Sequence, residues 1–198
     1  MIHIYKEKNR LGPTLLLLHG TGGDERDLLP LADIIDPDAN ILSVRGQVLE
    51  NGSNRFFKRL AMGVFDLEDL VFRTKRLKEF VDWAAIHYDF DRHQVIAIGY
   101  SNGANIAASM LFHYTDAVQQ AVLFHPMVPI RKELPDLSKI RVLICAGEND
   151  PICPPEEAQE LFDLLSSAKA DVKLLWQPGG HRLTMEEIVA AKSWIEKK

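Results

Sequence analysis

The chain has 198 residues, 46% of them hydrophobic and 26% charged, with a net charge of −5, 12 glycines and two cysteines. These values suit one globular α/β domain spanning 1–198. They offer no basic surface for a nucleic acid or an anionic membrane, and no disulfide framework, so a reducing, cytoplasmic setting is expected.

The N-terminal segment is polar and lacks the apolar region of a signal peptide. The longest aliphatic run, Leu15–Leu18, is far too short to span a bilayer, so no stable membrane insertion is expected. Strand-like runs follow one another at Thr14–His19, Ile41–Val44, Val95–Gly99, Ala121–Phe124, Arg141–Ala146 and Val172–Trp176, with a weaker one at Ile2–Lys6. Most are continuously apolar, as in parallel strands covered on both faces. Helical patterns lie between them. Leu67, Leu70, Val71, Thr74, Leu77, Val81, Ala84 and Tyr88 form one face behind Asp66 as N-cap. Further helices are expected over Asn102–Tyr114, over Pro155–Ala168, and after a capping box at Thr184 and Glu187. The alternation predicts a doubly wound, mainly parallel sheet of about seven strands with helices on both faces, whose ligands bind beyond the carboxyl ends of the strands.

Three of those strand ends carry chemistry. After Leu15–Leu18 comes His-Gly-Thr-Gly-Gly at 19–23. No Gly-Lys-Ser/Thr follows and the spacing is not that of a dinucleotide loop, so a phosphate cradle is the poorer reading. The better one is a loop whose backbone N–H, that of Thr21, meets a developing oxyanion while His19 braces the turn. After Val95–Ile98 comes Gly-Tyr-Ser-Asn-Gly at 99–103, followed by an Ala-rich helix. A serine between two glycines on a strand-to-helix turn stands exposed over a helix N-terminus, with the N–H of Asn102 as second oxyanion donor. A serine hydroxyl needs a base and the base needs an orienting carboxylate. Asp150, in Gly-Glu-Asn-Asp-Pro at 147–151, and His181, in Gly-Gly-His at 179–181, follow the next strands in the order Ser, Asp, His. Glu148 is the competing acid. Neither Cys145 nor Cys153 has zinc-like spacing, and neither a metal nor a cofactor is expected.

His125 ends the strand Ala121–Phe124 on the rim that carries Ser101, and with Met127 is a candidate for lining the substrate. Phe56 and Phe57 are candidates for the substrate wall, with burial in the core as the competing reading. No lid helix is visible between 101 and 150, so the pocket is expected to be shallow and open.

These motifs, spread over nearly the whole chain, resemble the α/β-hydrolase superfamily. Within it the chain is similar to the small, lid-less carboxylesterases, lysophospholipases and acyl-protein thioesterases, in particular to a bacterial carboxylesterase-like branch. The resemblance implies Ser101, Asp150 and His181 as a triad and Thr21 and Asn102 as oxyanion donors. It implies a serine esterase acting on small or short-to-medium acyl esters. Acyl thioester or lysophospholipid hydrolysis and acyl transfer are the alternatives, and a non-catalytic hydrolase-fold receptor a further one. Many relatives have glutamine where this chain has Asn102. The thioesterases carry a tryptophan in the segment that reads Asn54-Arg-Phe-Phe-Lys-Arg59 here, which moves the expectation away from protein deacylation. Some bacterial relatives are linked to quinone-stress operons, so an aromatic or quinone-derived ester is within the implied range. The expected partner is a small-molecule ester; a homodimer is left open.

Overall fold

The structure is a computed structural model that describes residues 1–197. Its frame is a seven-stranded sheet built from β1 (His3–Lys6), β2 (Thr14–Leu18), β3 (Asn40–Val44), β8 (Val95–Tyr100), β9 (Gln120–Phe124), β10 (Arg141–Gly147) and β11 (Asp171–Gln177), in the spatial order β1-β3-β2-β8-β9-β10-β11. Only β1 runs antiparallel, against β3; every other pairing is parallel. Between β3 and β8 the chain makes two small hairpins, β4 (Val48–Glu50) with β5 (Ser53–Arg55) and β6 (Arg59–Ala61) with β7 (Val64–Phe65). The helices are α1 (Leu29–Ile35), α2 (Leu67–Tyr88), α3 (Asn102–His113), α4 (Pro155–Ser167) and α5 (Met185–Glu196).

Why the strands read as unbroken apolar runs is plain from the two cores. Side chains alternate across a strand, and both faces are covered. Leu16, Leu18, Ala97, Leu123 and Ile144 pack under α2, α3 and α4. Leu15, Leu17, Ile98, Val122 and Leu143 pack under α1 and α5. All four leucines of β2 have no exposed surface. Asp66 caps α2 by accepting from the Asp69 N–H, and Thr184 and Glu187 form the capping box of α5. Helix α1 and the two hairpins were not foreseen from the sequence. Among the described residues, no helix is long and apolar enough to cross a membrane.

From β2 the chain moves outward to β3, which pairs with the edge strand β1, then returns to β8 on the other side of β2 and continues to β11. The order therefore reverses between β2 and β8. Loops leaving those two strands diverge there, opening a crevice at their carboxyl ends.

Candidate active site

Ser101 sits in that crevice. Its backbone is forced into φ 52° and ψ −114°, a region L-residues rarely occupy. The neighbouring glycines explain how the turn can close. A Cβ on Gly103 would overlap the Leu18 carbonyl, and one on Gly99 would come within 2.6 Å of the Ala104 backbone. Helix α3 can thus begin directly against β2 and β8, and the Ser101 N–H is held by the Phe124 carbonyl at 2.8 Å.

Asp150 and His181 arrive from the ends of β10 and β11, and their loops are fastened to each other. The N–H groups of Glu148 and Asn149 donate to the carbonyls of Gln177 and Gly179 at 2.7 and 3.1 Å. Gly147 permits this, since a Cβ there would run into the Gly180 carbonyl. His181 Nδ1 then donates to Asp150 Oδ2 at 2.8 Å, and His181 Nε2 lies 2.9 Å from Ser101 Oγ. Glu148, the rival acid, points to solvent. Burial alone would push the Asp150 carboxyl up. Hydrogen bonds from the Cys153 N–H, the His181 ring and the Ile152 N–H outweigh it and hold the carboxyl below its ordinary value. Tyr100 steadies His181 from β8, its hydroxyl donating to the His181 carbonyl at 2.8 Å.

The amides expected to meet an oxyanion border the same cavity. Asn102 opens α3, so its N–H has no acceptor within the helix. Its side-chain oxygen accepts from the Phe56 N–H at 2.7 Å, which ties the elbow to the 46–57 segment. Thr21 stands on a loop braced from several directions. His19 Nδ1 bonds the Gly20 carbonyl at 2.6 Å and His19 Nε2 accepts from the Gly46 N–H at 3.0 Å. Burial lowers the His19 pKa, in keeping with a neutral brace. Asn54 holds Gly22 and Gly23, and Arg55 Nη1 donates to Thr21 Oγ1 at 2.7 Å.

A cavity of about 280 Å³ opens over Ser101, at the small end for ligand sites. Met127 lines it. The other expected wall residues lie elsewhere. Phe56 and Phe57 are 4% and 0% exposed and belong to the core, packed against His19 and Phe65. His125 is 1% exposed and lies beneath Asp150 rather than in the cavity. The wall is instead made by residues given no role from the sequence: Arg55, Arg59, Met62 and Phe65 on the hairpins, and Ile152 and Cys153 beyond Asp150. Burial pushes the Cys153 thiol far up, so it stays protonated. One signal for these residues was available: the whole stretch 48–65 lies between a strand end and α2, on the ligand side.

His125, Asp150 and His181 bring ligand-type atoms within 4.8 Å of one another. In this arrangement Asp150 Oδ2 already receives both imidazoles and His181 Nε2 faces Ser101, so the cluster is arranged for proton transfer rather than as an open cation cage.

A doubly wound sheet with a strained serine elbow at its switch point defines an α/β-hydrolase. Residues 59–187 match the model of the dienelactone hydrolase family, and the chain belongs to that family; it is a hydrolase. It is 57% identical over 198 residues to a Bacillus subtilis (strain 168) protein described as "Putative hydrolase MhqD", covering 100% of this chain and 98% of that one. Among solved structures, a carboxylesterase from Bacillus cereus superposes with a TM-score of 0.97 at 58% identity, over 98% of this chain and 93% of that one. YahD, solved with malic acid, superposes with a TM-score of 0.95 at 36% identity, over 99% and 98%.

Proposed function

We propose that this hydrolase is a serine carboxylesterase that cleaves small or short-to-medium acyl esters through a covalent acyl-enzyme. The observation that carries the reading is the single imidazole of His181, bridging Asp150 at 2.8 Å and Ser101 at 2.9 Å. Ser101 Oγ attacks the ester carbonyl as its proton passes to His181 Nε2. Charge gathers on the carbonyl oxygen, which the N–H groups of Thr21 and Asn102 meet; one such donor is worth about 3 kcal/mol in a transition state. His181 returns the proton to the departing alkoxide, leaving Ser101 acylated. Water, deprotonated by His181, then releases the acid and frees the serine. Asp150 holds the His181 tautomer throughout.

Cavity size and lining support the substrate class. About 280 Å³ bordered by Met62, Phe65, Met127 and Ile152 suits a short acyl chain, and the exposed hairpin rim leaves the mouth open to varied alcohols. The likeness to a carboxylesterase from Bacillus cereus supports esters over other acyl donors. The test is turnover of p-nitrophenyl acetate and labelling by a fluorophosphonate. Ser101→Ala should lose both, with kcat/KM down by at least about a thousandfold. Full activity in that variant would overturn the assignment. A panel of esters and thioesters of graded length then fixes acyl preference, and product analysis with added alcohols separates hydrolysis from transfer.

A further inference from the structure

The relay described above leaves a buried imidazole, that of His125, unused. His125 follows β9 with φ 51°, its N–H bound to the Cys145 carbonyl at 2.7 Å. Its ring is wedged between two carboxylates. Nδ1 lies 3.2 Å from Asp150 Oδ2, and Nε2 lies 3.1 Å from Glu187 Oε1, set off the line of a straight hydrogen bond. Neither Nε2 nor Glu187 Oε1 has another polar partner among the described residues. Both carboxylates are almost wholly buried, and no Lys or Arg pairs with either among the described residues. From β8, the ring of Tyr100 faces His125 edge-on at 6.0 Å; from the loop after β11, the His181 ring stands 5.4 Å away.

Chemistry limits what such a ring can be. Glu187 Oε2 accepts from the Thr184 N–H and hydroxyl at 2.8 and 2.9 Å, and Asp150 Oδ1 accepts from the N–H groups of Ile152 and Cys153, donor sets suited to ionised carboxylates. Two ionised carboxylates only accept hydrogen bonds, whereas a neutral imidazole offers one N–H and turns a lone pair outward. A neutral His125 would therefore aim that lone pair at a carboxylate oxygen in a site buried from solvent.

We propose that His125 is a doubly protonated imidazolium clamped between Asp150 and Glu187, and a positioning residue for the proton relay. The proposal rests on the reading of Ser101, His181 and Asp150 as that relay. It gives His125 two tasks. It fixes Asp150 Oδ2 as a second donor beside His181. It also cancels the charge of Glu187, so that His181 faces a net charge of about one carboxylate rather than two.

The decisive measurement uses the wild-type protein. In 15N-histidine NMR, one ring should keep both nitrogens protonated from pH 6 to pH 9. If no ring is doubly protonated above pH 8, the proposal is overturned. Kinetics give the second arm. In His125→Asn, chosen because Asn tolerates a positive φ, the acid limb of kcat/KM should move up by about one pH unit. Adding Glu187→Gln should bring it back toward the wild-type position. A ring with a merely structural role would lower the rate at every pH, leave the limb in place and make the double variant worse; that pattern would also overturn the proposal. Failure of the underlying reading has a different signature, an active Ser101→Ala, and leaves the NMR result standing.

Discussion

The strand-end face and the hairpin wall border the same cavity, yet they are built on opposite terms. At the strand ends, backbone packed against backbone fixes each group: Gly103 against Leu18, Gly99 against Ala104, and Gly147 against Gly180. On the wall, short two- and three-residue strands carry exposed tips, with Leu60 and Met62 more than 70% exposed. The proposed chemistry sits where backbone is packed against backbone, and the proposed substrate wall sits where side chains can change without disturbing the sheet. The contrast ranks the effects of substitution.

The largest effect belongs to Gly103→Ala. Its Cβ would enter the space of the Leu18 carbonyl, a backbone atom that cannot swing away. Overpacking of this kind costs about 3 kcal/mol, so melting should fall by about 10 °C, read by thermal unfolding, together with loss of ester turnover. Asp150→Asn should fold, because Asn keeps an oxygen for the N–H groups of Ile152 and Cys153. It should lower kcat by about ten-thousandfold, since the base would be held in the wrong tautomer; fluorophosphonate labelling should slow in step.

A smaller effect concerns acid. Asp150 and Glu187 both titrate below their ordinary values, so they bind fewer protons folded than unfolded. Their contribution is complete above the ordinary carboxyl pKa of about 4 and is lost as pH falls through the lowered values. The melting temperature should therefore drop from about pH 5 downward, and less steeply in Glu187→Gln. The smallest effect belongs to the wall: Met62→Ala should leave melting unchanged and alter KM for esters of different chain length by about two- to tenfold. A collapse of kcat in that variant would erase the distinction between the two regions.

The legibility of the sequence follows the same division. Long buried strands announce themselves by composition, so all seven sheet strands were readable, with β1 weakest because it is a half-buried edge. The elbow, the glycine-rich loop at 19–23 and the loops of Asp150 and His181 were readable because each follows such a strand, and the structure brings Ser101, Asp150 and His181 within hydrogen-bonding reach. Helix α1 escaped notice: seven residues with no side-chain cap leave too little period to detect. The hairpins escaped because Ser53-Asn54-Arg55 looks like loop. Phe56 and Phe57 were drawn toward the wall by their position, but apolar rings beside a polar hairpin turn inward, and Arg55 and Arg59 take the cavity side. Nothing local distinguishes His125 from a strand-end ligand contact; only the fold brings Glu187, 62 positions later in the chain (187 − 125), beneath it.

The loops of Asp150 and His181 are hydrogen-bonded to each other without any part of the serine turn. The molecule is thereby divisible at the exposed stretch from Arg131 to Glu133, which joins β9 to β10 without a helix. Everything upstream carries the proposed nucleophile, Ser101, and the amides of Thr21 and Asn102; everything downstream carries Asp150 and His181 on two loops joined to each other. Two polypeptides parted there would each be inert, and would regain function only by complementation, when the sheet zips β10 onto β9.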